Sequence, residues 1–259
     1  MRKIKLKIPL TSLGVCGIVS VMKNTLTFAV GNAKLGKEIA TFSLPSGYTC
    51  PSAHLCLSKA DRVTGKISDG EKTEFRCFSA SQEAVFPAVR LSRWNNFEAL
   101  KALGSDYSRI ASLIEKSLPV QDIVRLHVAG DFYSQAYFDA WIEVAKNNPT
   151  KTFYTYTKSL SYWIKRKNEI PQNLKLNASK GGKHDNLITE HSLKFAEVVL
   201  TEQEAIDKGL SIDHDDSHAF AQDSSFALLI HGTQPKGSKA GVALSALRKQ
   251  GKGGYGKKR

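Results

Sequence analysis

No segment of this 259-residue chain approaches the run of about 20 apolar residues that spans a bilayer, so no helical membrane span is expected. Cysteine is scarce: there are four, none in the CxxC spacing of zinc ribbons and fingers. Four in a chain of this length do not make the disulfide framework that staples small secreted domains. A secretory leader is not expected either. MRKIKLKIPLTSLGVCGIVSVM has a basic start and an apolar centre, but no A-x-A-like cleavage site follows. Val15 precedes Cys16 where a lipoprotein signal has a small residue, and Ile4, Leu6 and Ile8 alternate with lysines as in an edge strand.

Acid is the other shortage, with 24 Asp and Glu against 37 Lys and Arg. Residues 1 to 7 hold Arg2, Lys3, Lys5 and Lys7, and residues 251 to 259 hold Lys252, Lys257, Lys258 and Arg259, with no acid in either segment. These eight cations leave only +5 of the net +13 to the body, so an anionic partner, a nucleic acid or nucleotide, is expected at the basic termini.

What is present is an ordinary globular composition, 41% hydrophobic and 24% charged, with ample chain for one core. A single α/β domain is expected over 23–250, between an N-terminal extension, 1–22, and a basic, glycine-rich, disordered tail, 251–259. From Asp122 onward apolar runs alternate with helix-period stretches, the pattern of a mostly parallel sheet or partial (β/α) barrel with helices outside. IVRLHVAG (123–130), TFYTYT (152–157), LKLNAS (174–179), FAEVVL (195–200) and SFALLI (225–230) read as strands. Ser134 and Thr201 read as helix N-caps, Pro149 and Gly209 as helix stops. Upstream, KEIATFSL supplies a strand near 38–44, the cysteine-bearing segment 50–77 reads as one loop, and 81–116 reads as helical with breaks at Pro87 and Gly104. The polar run His214 to His218 reads as a solvated loop.

Parallel strands joined by right-handed crossovers place all their C-terminal ends on one rim, where open sheets and barrels bind ligands. Cys50, Gly130, Asp131, Lys158, Ser179, Gly181 and His231 all follow strands and should meet there. Cys50, Cys56 and Cys77 offer three thiols. Three thiolates can hold a [4Fe-4S] cluster with one iron left open, or three corners of a zinc tetrahedron. Zinc would need a fourth ligand, with His54 nearest and His184, His191, His214, His218 or His231 as further candidates. Asp131 could accept from an amine or hydroxyl, or ligate a metal. Lys158 and the Lys180-Gly181-Gly182 turn could bind phosphate or carboxylate. His231 could ligate a metal, shuttle a proton or cap a strand. Gly130, Asp131, Ser179 and Gly181 are the candidate cofactor-binding positions, with Asp131, Lys158 and His231 the candidate catalytic ones. His127 reads as a satisfied core histidine, and Phe153 to Tyr156 as core rather than a base-stacking surface.

Five segments, TFSLPSGYTCPSAHLC, TEFRCFSASQEA, LHVAGDFYSQAYFDAW, FYTYTKSL and HGTQPKGSKAG, together resemble the phage and bacterial family called gene product eighty-eight. If a phage encodes the chain, the host cytoplasm is its expected location. More remotely, the order of cysteines, a strand ending in a glycine-acid pair, and further βα units is similar to the partial barrel of radical S-adenosylmethionine enzymes. That likeness implies that Cys50, Cys56 and Cys77 hold a [4Fe-4S] cluster and that Gly130 and Asp131 border S-adenosylmethionine. The cysteine gaps differ, being five and twenty residues here against the usual CxxxCxxC. Two readings result: a cluster-dependent enzyme acting on an anionic substrate, or a non-catalytic zinc-stabilised nucleic-acid-binding protein.

Overall fold

The computed structural model describes residues 25–32 and 35–252. The extension 1–22, with its edge strand over Ile4, Leu6 and Ile8, and all but the first two residues of the tail lie outside the described residues. The described chain opens with β1 (Ala29–Asn32) and β2 (Gly36–Thr41), then a small separate hairpin, β3 (Ser58–Ala60) and β4 (Ile67–Asp69). Three helices follow: α1 (Phe78–Val85), α2 (Pro87–Lys101) and α3 (Tyr107–Ser117). Pro87 takes the first position of α2, where a missing N–H costs nothing, and Gly104 turns between α2 and α3 with φ +64°, so the expected breaks are the observed ones.

The rest alternates. β5 (Ile123–Leu126), α4 (Gln135–Asn147), β6 (Thr152–Thr157), α5 (Leu160–Lys165), β7 (Leu174–Ser179) and α6 (Asn186–Glu190) form three successive βα units. β8 (Phe195–Val199), α7 (Glu202–Asp207), β9 (Ser211–Ile212), α8 (Ser217–Ala221), β10 (Phe226–Leu229) and α9 (Lys239–Lys249) complete the fold. Ser134 and Thr201 cap α4 and α7 as expected, accepting from Tyr137 N at 3.2 Å and Glu204 N at 3.1 Å.

The main sheet runs β1-β2-β5-β6-β7-β8-β10-β9. β1 pairs with β2 antiparallel, and every other neighbouring pair is parallel. From β2 to β8 each strand lies beside the preceding strand of this sheet, so the order never reverses as it does in a doubly wound sheet. That is the winding of a partial barrel, but the sheet is not closed: β1 and β9 remain edges. Side chains alternate across it with period two. Val124, Leu126, Phe153, Leu174 and Leu176 face outward onto Ile110 and Ile114 of α3 and Phe138, Trp141 and Val144 of α4. Farther along, Val199, Ala227 and Leu229 pack on Ala205 of α7 and Leu244 and Leu247 of α9. Tyr154, Ala196 and Phe226 take the opposite face, against Ala219 and Phe220 of α8.

Three local differences from the expected elements have clear causes. The strand expected over 123–130 ends at Leu126 because His127 turns into the left-handed region, φ 57°. The segment 50–77 is not one loop, since β3 and β4 pair within it. The run His214 to His218 keeps His214, Asp215 and Ser217 exposed, as expected of a solvated loop, but turns Asp216 inward. Asp216 is 3% exposed, and its carboxylate accepts from Arg125 Nη1 at 2.5 Å and from the hydroxyls of Tyr154 and Tyr156 at 3.1 Å. These inner-face groups draw Asp216 under the sheet at the start of α8.

His127 is the satisfied core histidine expected. Its ring nitrogens lie 3.3 Å from Thr155 Oγ1 and 3.0 Å from Tyr137 Oη, and it packs on Phe132 and Tyr137. Burial holds its pKa down to about 3, below its unfolded value, so the unfolded state binds the extra proton first. The stability this ring supports is present above about pH 6.5 and is lost as pH falls toward 3. In His127→Asn, which tolerates the backbone conformation and does not titrate, urea unfolding should show the wild-type advantage at pH 7 shrinking by about 2 kcal/mol at pH 5. A difference independent of pH would mean that the folded ring binds a proton as readily as the unfolded one.

Candidate functional site

The cysteine segment begins where the chain leaves β2. Residues 42 to 44 continue beside the end of β5, with Phe42 N donating to Arg125 O and Leu44 N to Ala129 O, both at 2.9 Å. Beyond Pro45, a buried ion pair takes hold: Glu83 Oε1 accepts from Arg93 Nη1 at 2.8 Å, from Ser46 N at 3.0 Å and from Ser46 Oγ at 2.7 Å. This ties the start of the segment to α1 and α2. Gly47 then donates its N–H to Cys50 Sγ at 3.4 Å, and a side chain there would strike Ser58 O at 2.4 Å.

Three strand ends support the segment from below. After β5, Gly130 (φ +82°) presses so close that a Cβ would lie 2.5 Å from Thr49 Oγ1 and 2.7 Å from Leu44 Cβ; only glycine fits. Asp131, 4% exposed, accepts from Thr157 Oγ1 at 2.6 Å, Phe132 N at 2.7 Å and Lys158 N at 2.8 Å, which locks the β5 loop to the end of β6. Lys158 in turn donates from Nζ to Ser179 Oγ at 2.7 Å, Lys180 O at 2.8 Å and Ser179 O at 2.9 Å, binding β6 to β7. After β7, Leu55 N donates to Gly181 O at 3.0 Å and Lys183 N to Ser52 O at 2.9 Å, so the glycine turn zips onto the stretch between Cys50 and Cys56. The amides of Gly181 and Gly182, expected to receive a phosphate or carboxylate, donate to the chain's own Asp185 at 2.7 and 2.9 Å.

Cys77 arrives on a second segment, at the N-cap position of α1, with its N–H on Ser58 Oγ at 3.4 Å. The preceding residue is gripped by the loop after β10. Gln234 Oε1 accepts from Arg76 N at 2.7 Å while Gln234 Nε2 donates to Arg76 O and His231 O, both at 3.0 Å. His231 turns Nδ1 toward Leu229 O at 3.0 Å and packs on Phe78, with ring centroids 4.9 Å apart. It therefore sits against Phe78 at the start of α1, the residue after Cys77. Of the other histidines, His218 stacks on Phe226 and pairs with Asp223, and His191 ends α6. Sequence reasoning missed Glu83, Arg93, Asp185 and Gln234; of these only Asp185, four residues beyond a glycine turn, carries a local signal.

The acids of this rim act on one another. Burial pushes the Cys50 thiol well above its ordinary value, and the fields of Asp131, Cys77 and Cys56 push it further, against the Gly47 N–H. Burial raises Cys56 to about 11, with Cys77 and Asp131 adding and the Lys158 ammonium opposing. Asp131 is raised to about 6, again chiefly by burial, despite its three hydrogen bonds. All three cysteines are free thiols. The structure thus brings Cys50, Cys56, Cys77, Asp131 and Lys158 within one another's fields. Among the described residues, no group of three or more His, Cys, Asp or Glu side chains is arranged to hold a metal ion, and no helix is long and apolar enough to cross a membrane.

Comparison with known proteins bears on these same segments. The family model described as Gene product 88 matches residues 21–252, a span that takes in the cysteine segment, the strand ends beneath it and the loop that holds Arg76. The Gene 88 protein of Mycobacterium phage L5 is 29% identical over 141 residues, which are 49% of this chain and 51% of that protein. The match thus spans about half the length of this curated relative. No solved structure matches the chain. With all of its described residues and every element of the rim inside the matched span, the chain belongs to the Gene product 88 family.

Proposed function

We propose that this protein is an enzyme that works through an iron-sulfur cluster held by Cys50, Cys56 and Cys77, acting on an anionic substrate, a nucleotide or nucleic acid, at the rim of the parallel sheet. One observation carries the reading: three free thiols on two separate segments come near enough to one another, to Asp131 and to Lys158, at the strand C-termini, for the others' fields to shift Cys50 and Cys56. Three thiols match the three protein ligands of a cluster with one open iron, whereas a single zinc would need a fourth ligand.

The chain's own groups have definite parts in this reading. Burial and mutual repulsion keep Cys50 and Cys56 protonated when no cation is present, and a bound cation deprotonates coordinating thiols. The Gly47 N–H on Cys50 Sγ is the kind of contact that tunes a cluster through its sulfur. Lys158 offsets negative charge beside Cys56, Asp131 fixes the spacing of the β5 and β6 ends, and His231 is the rim histidine to which proton transfer is assigned. When bound, a cluster with one open iron supplies Lewis acidity and single electrons. S-adenosylmethionine is the cofactor proposed for that open position, with Gly130, Asp131, Ser179 and Gly181 bordering it.

Anaerobic purification with a visible spectrum and iron, sulfide and zinc analysis tests this directly. A brown protein with about four irons, lost in Cys50→Ala, Cys56→Ala and Cys77→Ala while circular dichroism stays native, is the expected result. One zinc without iron would replace this reading with a zinc-stabilised binding module, and a metal-free protein would end both. Addition of S-adenosylmethionine should then alter the spectrum of the cluster-loaded protein.

Gln234 supplies a second test. Gln234→Ala removes both hydrogen bonds on Arg76 and should cost about 1–3 kcal/mol of stability while lowering iron content through misplacement of Cys77. Gln234→Glu keeps the acceptor and should retain more iron. Full iron content in a destabilised Gln234→Ala protein would confine this residue to a structural part.

A further inference from the structure

We propose that the loop after β10 and the helix α9 form a groove for the phosphate backbone of a nucleic acid, a site separate from the thiols but joined to them. A cavity of about 450 Å³ lies between the loop and the helix, lined by Gln234, Lys236, Gly241, Ser245, Arg248 and Lys249 among others, with no acidic and no aromatic side chain in its wall. Its shape is set by close backbone approach: a Cβ on Gly241 would lie 2.3 Å from Pro235 O.

Charge identifies the occupant. After Asp223 the chain contains no Asp or Glu, yet carries Lys236, Lys239, Arg248, Lys249, Lys252, Lys257, Lys258 and Arg259, eight cations against a net +13 for the whole protein. Of these, Lys252 meets Glu202, and elsewhere basic side chains likewise meet carboxylates, as Arg93 does Glu83, Arg166 does Asp139 and Lys208 does Glu197. Among the described residues no carboxylate pairs with Lys236, Lys239, Arg248 or Lys249. Lys236 on the loop and Arg248 and Lys249 in the last turn of α9 spread positive charge along the groove, which suits a ligand whose negative charges repeat, and the absence of aromatic side chains from the wall means that bases are not stacked there. Binding should therefore follow phosphate number rather than base sequence.

The groove also touches the rim. Gln234 lines it with its neighbours and holds both backbone groups of Arg76, the residue before Cys77, so a strand lying in the groove passes the third thiol. The inference rests on the enzyme reading only for that last step, because backbone binding needs no cluster.

Fluorescence anisotropy of the full chain with labelled DNA oligonucleotides, single-stranded and duplex, over a range of salt concentrations provides the test. The variant carries Lys236→Ala and Lys249→Ala together; the control carries Lys72→Ala and Lys116→Ala, both exposed and outside the groove. For duplex, the slope of log affinity against log salt should become shallower by about 2 in the groove variant and stay unchanged in the control, with oligonucleotides of different base composition bound alike. Equal losses in variant and control, wild-type binding by the groove variant, or no binding by the wild type would each overturn the site. Cys50→Ala should bind as the wild type does. Binding that survives alongside an iron-free analysis would reject the cluster and keep the groove; a brown protein that does not bind would do the reverse.

Discussion

The arrangement depends on how closely two backbones approach at the ends of β5 and β7. The cysteine segment is a long excursion between β2 and β5 with little regular structure of its own, so its thiols have fixed positions only where something else holds the chain. Gly130 and the Gly181-Gly182 turn provide that hold, because each allows a contact that a Cβ would obstruct or strain. The cost of ordering such a segment is large, of the order of 1–2 kcal/mol per residue in the backbone alone. It is offset by the ladder of hydrogen bonds from Ser52 and Leu55 to the glycine turn and by the buried Glu83 with its three donors. The glycines first read as cofactor contacts thus have a part that precedes any cofactor, since they set the height of the thiols above the sheet.

Charge is the second constraint, and it follows from the first. Seating the segment this deeply brings two half-buried thiols beside the Asp131 carboxylate, and desolvation together with the field of Asp131 disfavours their ionisation. Lys158 is the cation that opposes this at Cys56, but its ammonium is already shared among three oxygens of Ser179 and Lys180. The rim therefore holds its thiols neutral, and ionising them requires added positive charge. That requirement is the physical content of the cluster proposal. It also explains why a nucleophilic cysteine is a poor reading, since burial holds the thiols in the less reactive protonated form.

Much of the frame was legible in the chain. TFYTYT and LKLNAS form β6 and β7 at their expected bounds, because both are short β-rich runs bounded by turn and helix-stop residues, and the convergence of Cys50, Asp131, Lys158 and Ser179 follows from parallel winding alone. The failures are of two kinds. SKA and ISD carry too little β-branched or aromatic character to announce a hairpin, and Ser211–Ile212 is only two residues long. The rest are long-range pairings that no local window contains. Asp216 is buried by Arg125, 91 residues away, and Gln234 grips Arg76 across 158 residues. His127 belongs to neither kind: a histidine in an apolar run reads as strand, and only the packing of its ring on Phe132 and Tyr137 accounts for the early turn.

What the chain satisfies internally narrows where a ligand can act. Asp185 occupies the amides of the glycine turn, Asp131 takes up the Thr157 hydroxyl and the Lys158 amide, and Lys158 is held by β7. The middle strand ends thus spend much of their polarity on the protein's own scaffold. Two regions keep chemistry in excess of their internal partners: the thiols, which stay protonated without a cation beside them, and the end around α9, whose sequence after Asp223 holds no acid. The Gln234 side chain joins them, bonding both backbone groups of Arg76, the residue before Cys77. A polyanion in the groove and a cationic centre among the thiols relieve both imbalances without either displacing a contact that holds the fold. That makes the bridge between Gln234 and Arg76, rather than any residue of the sheet, the point where binding and chemistry would be coupled.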